Sequence, residues 1–156
     1  MKKIVKLTSI VFFIILLTGC GKEEKEVITN CKFSSNVPAS NYSLSSTYKV
    51  YSKNDVVSKV VTEEIVTSED EEVLESFKEY LSKTYSAQNE TYGGVTNEVK
   101  KEEGKVISST TIEYNKMDLD KYIEDNTVLN NYINDDNKLT VEGAVSIYKA
   151  LGAVCE

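Results

Sequence analysis

Between residues 26 and 66, apolar side chains recur at every second residue or at multiples of two in successive segments. Val27, Thr29, Cys31 and Phe33 alternate with Ile28, Asn30 and Lys32, which predicts a strand from Glu26 to Ser34, broken at Val37-Pro38. Tyr42, Leu44, Tyr48 and Val50 keep the same period. Lys53-Asn54-Asp55 then has turn composition ahead of Val56-Val57-Ser58-Lys59-Val60-Val61, so this segment predicts a long β-hairpin. The second arm carries two apolar stripes: Val57, Val61 and Ile65 on one face, Val56, Val60 and Val66 on the other. Either stripe can face a core, and a slip of one residue exchanges them.

After Thr67 the period becomes helical. Ser68 with Glu71 three residues on has the form of a capping box, and Glu69, Asp70, Glu71 and Glu72 load the positive end of a helix. Val73, Leu74, Phe77, Leu81 and Tyr85 trace its apolar stripe, predicting a helix from about 69 to 86, with a loop at Asn89 to Gly94. A second hairpin follows, Val95 to Lys100 and Lys105 to Tyr114 around Lys101-Glu102-Glu103-Gly104, with Val106, Ile112 and Tyr114 on one face. Leu119 to Ile133 reads as short helical turns interrupted at Asn126-Thr127. Thr140 caps a last helix with Val141, Ala144, Val145, Tyr148 and Leu151 as its stripe, ended by Gly152. The block order predicts an α+β fold: an antiparallel sheet of two hairpins plus an N-terminal strand, with two or three helices packed on one face.

The first twenty residues follow a different pattern. Lys2, Lys3 and Lys6 precede an apolar stretch through Ile10 to Leu17, and Leu17-Thr18-Gly19-Cys20 follows. The apolar run is shorter than the roughly 20 residues that span a bilayer and ends in small residues, as in a secretory signal. Leu-Thr-Gly-Cys is similar to a bacterial lipobox, which implies cleavage before Cys20 and a lipid on its sulfur. Residues 1–19 are then signal peptide, 20–26 a lipidated tether, and 27–156 one α+β domain at the cell membrane, on its extracytoplasmic face. Two or three acyl chains hold a bilayer stably where one does so only marginally.

Composition removes much of the usual chemistry. The 156 residues contain no His and no Arg, and all 18 basic side chains are Lys. A Ser-His-Asp or Cys-His centre, His-ligated zinc and bidentate Arg recognition are therefore excluded. The 25 acidic residues set a formal charge of −7, and loss of residues 1–19 takes three lysines and no acid, leaving −10 on the mature chain. Such a surface is a poor nucleic-acid ligand and is expected to stand off anionic lipid headgroups.

With Cys20 lipidated, Cys31 and Cys155 remain as an even pair outside the cytoplasm. A disulfide between them is expected, closing a loop of about 125 residues and contributing about 5 kcal/mol in the chain-entropy description. The alternative is two buried thiols. A redox-active pair is not expected, with no Cys-x-x-Cys and no His or Arg to lower a thiol pKa.

The segments Tyr48-Lys49-Val50-Tyr51-Ser52-Lys53-Asn54-Asp55-Val56-Val57, Tyr92-Gly93-Gly94-Val95, Thr111-Ile112-Glu113-Tyr114-Asn115-Lys116-Met117-Asp118 and Leu139-Thr140-Val141-Glu142 onward to Leu151-Gly152, behind the lipobox, resemble the small YehR-like bacterial lipoproteins. The resemblance spans the mature chain and implies a compact α+β lipoprotein domain without recognised catalytic residues. This chain departs from that pattern in Glu113, where the family tends to place Asp, and in its Cys31/Cys155 pair.

Ten tyrosines are the most unusual positive feature. Tyr42, Tyr48, Tyr80, Tyr85, Tyr114, Tyr122, Tyr132 and Tyr148 fall on or beside apolar faces and read as core. Tyr51, on the opposite strand face, and Tyr92, in a glycine loop, are the candidates for exposed contact. The acid pairs Glu63/Glu64 and Asp118/Asp120 read as solvated edges rather than a glycosidase couple. Neither Glu69 to Glu72 nor Asn134-Asp135-Asp136-Asn137 has the glycine and terminal Glu of a calcium loop. No cofactor is implied. The expected function is non-enzymatic: an envelope interaction module, with small-ligand or metal binding as the alternative, partnered by the bilayer through acylated Cys20 and by an envelope protein or small ligand.

The Cys20→Ser variant should accumulate as uncleaved precursor without incorporated fatty acid. Normal processing and labelling would remove the lipid anchor from the reading.

Overall fold

The computed structural model describes residues 25–156. Cys20, residues 1–19 and most of the 20–26 tether lie outside the described residues. Six strands, β1 (Val27–Val37), β2 (Tyr42–Lys53), β3 (Val56–Ser68), β4 (Val95–Glu102), β5 (Lys105–Glu113) and β6 (Val154–Cys155), form one antiparallel sheet in the order β4-β5-β3-β2-β1-β6. The helices are α1 (Glu71–Tyr92), α2 (Leu119–Asp125) and α3 (Val141–Ala150). The fold is α+β, as the block order predicts. No helix among the described residues is long and apolar enough to cross a membrane.

Asn54 and Asp55 join β2 to β3 with positive φ at both residues, 49° and 65°, the geometry that suits the twist of a tight hairpin. The N-terminal strand runs to Val37 rather than Ser34. Val37-Pro38 does not isolate it: the single turn Pro38–Ser40 and Asn41 at φ 55° fold it back, so that β1 pairs with β2 along its whole length. That third hairpin and β6 are additions to the predicted sheet.

The two stripes of β3 are resolved by a bulge. Tyr51 pairs with Lys59 and Ser52 with Val57, which leaves Ser58 as the extra residue, its Oγ donating to the Tyr51 carbonyl at 3.2 Å. The residues turned to the helices are therefore Val57, then Val60, Thr62 and Val66, all buried. Neither predicted stripe faces the core intact.

Helix α1 starts two residues later than predicted. Asp70, not Ser68, is its N-cap, accepting from the amides of Glu72 at 2.9 Å and Val73 at 3.4 Å. Ser68 instead is buried, donating to the Asn41 carbonyl at 2.6 Å and accepting from the Asp70 amide. The helix also runs through the predicted loop to Tyr92, where Gly93 and Gly94 at φ 71° end it. A Cβ on Gly94 would lie 2.7 Å from the Glu113 carbonyl oxygen, so only glycine fits this crossing. Thr140 caps α3 as predicted, accepting from the Gly143 amide at 3.0 Å.

Both long helices cover the same sheet face, over separate apolar clusters. Leu74 and Leu81 of α1 pack with Val66 and Val106; Ala144 of α3 and Leu139 pack with Val50, Val57 and Val60. Each fully buried Val or Leu contributes about 1.5–3 kcal/mol. The Glu71–Lys101–Glu75 ion pairs, at 2.8 and 3.2 Å, fasten α1 to edge strand β4.

Cys31 and Cys155 face each other across β1 and β6 and form a disulfide. Beside it, the Asn30 amide donates to Glu156 and its carbonyl accepts from the Glu156 amide, both at 2.9 Å. The end of the chain is thus stapled to its first strand, with α3 held between.

Replacing both Cys31 and Cys155 by Ser should destabilise the domain by about 2–5 kcal/mol in denaturant melts. Reductant should bring the unaltered chain to the same midpoint. Equal midpoints for variant and oxidised parent would show that the pair is not bridged.

Candidate functional site

The strand register sets the residues of the helix-covered face in rows. Val50, Val60, Ile112 and Val95 make one apolar row, and Leu44, Val66 and Val106 another. Between them lie two rows of different character: Cys31, Tyr48, Thr62, Thr110 and Asn97, then Phe33, Ser46, Glu64, Ser108 and Val99. Ser46, Thr62, Ser108 and Thr110 are buried. A polar seam therefore crosses the sheet beneath α1 and α3.

Buried polar groups have to be paired, and Ser108 and Thr110 are. Asn97 Nδ2 donates to Ser108 Oγ and to Thr110 Oγ1, both at 2.8 Å. The Tyr85 hydroxyl, brought in by α1, donates to Glu64 Oε2 at 2.7 Å. Ser46 Oγ is the exception: buried beside Tyr48, it completes no hydrogen bond of good geometry. Glu64 lies mid-strand on the covered face yet is still partly exposed, so the helices leave a gap above it. Among the described residues no lysine forms an ion pair with Glu64.

Tyrosines surround this carboxylate. Tyr148 of α3 stacks on Tyr48, with ring centroids 4.2 Å apart and planes 21° from parallel. Burial raises the pKa of Tyr48, Tyr85 and Tyr148 above the ordinary 10.0, and the negative charge of Glu64 raises each further. Burial also raises Tyr114 and Tyr122.

Tyr148 is at the same time a wall of an apolar pocket of about 210 Å³. Ile112 of β5, Tyr114, Leu119, Tyr122 and Ile123 of α2, Leu129, Ile133, Leu139, and Ala144 and Ile147 of α3 line the rest. A cavity of about 150 Å³ accommodates benzene, so this one has room for a small organic group. Among the described residues, no three His, Cys, Asp or Glu side chains gather in a way that could hold a metal ion.

The residues singled out from the sequence lie elsewhere or in other roles. Tyr51 is on the open sheet face, half-buried under the Lys59 ammonium, which sits 4.2 Å from its ring centre. Tyr92 is not in a glycine loop. It closes α1, its hydroxyl donates to Asp125 Oδ2 at 3.0 Å, and its ring meets Tyr122 edge-on at 5.0 Å. That hydrogen bond raises its pKa. Tyr80, read as core, is 62% exposed. Glu63 and Glu64 point to opposite faces of β3, and Asp118 is spent as the α2 cap, accepting from the Lys121 amide. Asn134 Oδ1 organises the turn before β-bridged Leu139 by accepting from the Asp136 and Lys138 amides. The convergence of Glu64, Tyr85, Tyr48 and Tyr148 was hidden by the bulge, since Glu64 lies on the Val60 and Val66 face and alternation alone left open which face of β3 the helices cover.

Compared with known structures, the chain is similar to the NMR structure of the E. coli YehR protein, with 21% identity over 85% of this chain and 92% of that one and a TM-score of 0.56. It also matches the NMR structure of a protein from Streptococcus pneumoniae TIGR4 at 15% identity, covering 100% and 98% of the two chains, with a TM-score of 0.49. No family model and no curated protein matches the chain. The resemblance read from Tyr48 to Val57 and the later segments therefore holds at the level of the fold.

Alkaline titration provides a test of the tyrosine cluster. Unfolded tyrosines ionise near pH 10, but Tyr48, Tyr85, Tyr114, Tyr122 and Tyr148 ionise higher in the folded chain. Above pH 10 the unfolded state thus binds fewer protons, and stability, intact below that pH, falls as pH rises toward the raised native values. Tyrosinate absorbance should show part of the tyrosines ionising reversibly and the rest only as near-UV dichroism is lost. Ionisation of all ten near pH 10 with the fold intact would contradict the buried cluster.

Proposed function

We propose that this chain is a lipid-anchored extracytoplasmic protein that binds a small organic ligand. The observation that carries the reading is the pocket itself, where Tyr114, Tyr122 and Tyr148 from three separate elements converge on an otherwise apolar hollow of about 210 Å³. Ligand sites share this make-up, a concave apolar surface with a few directional polar groups. Tyrosine supplies both, a rigid ring for contact area and a hydroxyl for orientation. The lipobox at Leu17 to Cys20 supports the membrane anchor, and the chemistry left by a sequence without His or Arg supports binding rather than catalysis.

Ala144 is buried and lines the pocket, so a larger side chain there grows into the hollow. Ala144→Leu should keep cooperative unfolding and abolish the shifts that small apolar fragments induce in the methyl resonances of Ile112, Ile133 and Ile147. A fragment screen that leaves those methyls unmoved in the parent chain would reject the ligand-binding reading.

A further inference from the structure

Glu64 is a carboxylate with one hydroxyl donor and no cation, placed among aromatic rings in a half-covered gap. Its Oε2 accepts from Tyr85, and among the described residues it has no ion pair. Across the strand pair stands Ser46, 3% exposed, with an Oγ that completes no hydrogen bond of good geometry. The Tyr48–Tyr148 stack is beside them, and Tyr148 is also a wall of the apolar pocket. A partly desolvated anion flanked by aromatic faces has one strong complement, an organic cation, attracted by the charge and by the ring quadrupoles together. A single carboxylate with hydroxyls does not supply the ligand set of a divalent metal.

We propose that the ligand is an amine with an apolar body. Its ammonium group sits against Glu64 and the Tyr48–Tyr148 stack and donates to Glu64, and its hydrocarbon part enters the pocket lined by Ile112, Ile147 and Tyr148. This assignment rests on the pocket reading above and adds the chemical class of the ligand. Lys59, the nearest charged neighbour of Glu64 on β3 in sequence apart from Glu63, is turned to the other face and lies over Tyr51, and among the described residues no lysine forms an ion pair with Glu64.

The test uses the full chain in zwitterionic lipid nanodiscs and three probes of one size: n-butylammonium, n-butanol and butyrate. Pocket methyl shifts report occupancy. Butylammonium should bind about tenfold more tightly than butanol, the combined scale of a partly exposed ion pair and a cation–π contact, and butyrate more weakly than either. Raising the salt concentration should weaken butylammonium and leave butanol unchanged. Glu64→Gln keeps an acceptor for Tyr85 and should bring butylammonium to the level of butanol; the probe and salt comparisons in the unaltered chain decide the matter even if that variant does not fold. Equal binding of butanol and butylammonium would overturn the amine assignment and leave the pocket standing. No shift with any probe would overturn both.

Discussion

One extra residue in β3 determines what the helices cover. Were Ser58 an ordinary strand residue and not a bulge, the strand would alternate from Val57 straight through, turning Lys59 and Glu63 inward beneath the helices and Val60 and Val66 outward. Ser58 absorbs the slip: Val57 and Val60 both face the core, Lys59 goes to the open side, and Glu64 goes under the helices. The bulge is fixed locally by the Ser58 hydroxyl on the Tyr51 carbonyl, beside the tight Asn54-Asp55 turn. Its consequences extend to β5, because Glu64 pairs with Ser108 and Thr62 with Thr110, so the polar face of one strand is matched by hydroxyls on the next.

The covered face is consequently built in bands, with apolar clusters under α1 and α3 and a hydrophilic seam between them. Filling the seam with valine would be the simpler way to stabilise a sheet of this size, because a buried hydroxyl or amide contributes little net free energy even when paired and costs about 1–3 kcal/mol when not. Asn97 and Tyr85 satisfy most of the seam from its two sides. What is left, the open side of Glu64 and the Ser46 hydroxyl, lies where the helices leave a gap. The α3 side of that gap is held by the Cys31–Cys155 staple, since Cys31 stands in the same row as Tyr48, on which Tyr148 stacks. The disulfide that compensates for a split core also positions the ring that seam and pocket share.

Much of this was legible in the sequence. Period-two runs, the Asn54-Asp55 turn, the Leu74 to Tyr85 stripe and the Thr140 cap act through neighbours within four residues, so local chemistry settles them. The failures have a common physical cause. Ser68 and Asp70 are both good caps, and the choice between them was made by Asn41, 27 residues away, which takes the Ser68 hydroxyl. Helix α1 outran its apolar stripe because its last turns pack only one side and end at a glycine pair that meets Glu113 and Met117. Tyr80 was misplaced because apolar stripes on helices have soft edges. The carboxylate at the centre of the site could not be found at all from alternation, which assigns Glu64 a face only once the bulge is known.

The absence of His and Arg, and a net charge of −7 over the whole chain, sharpen what such a site can recognise. A protein with Lys as its only cation has few means of gripping an anion in a small hollow, and the six lysines whose ion pairs are described reach carboxylates of the surface: Lys78, Lys83, Lys100, Lys101, Lys105 and Lys116. Recognition in the interior is left to tyrosine rings, hydroxyls and one carboxylate. The carboxylate and the ring faces favour a positive partner over a negative one, while the hydroxyls, which donate as well as accept, serve either. The field of an acidic surface acts in the same direction, concentrating cations around the domain and disfavouring anions before contact is made. Composition, which on its own only excluded chemistries, thus agrees with the bulge, the seam and the pocket in the sign of charge that the site accepts.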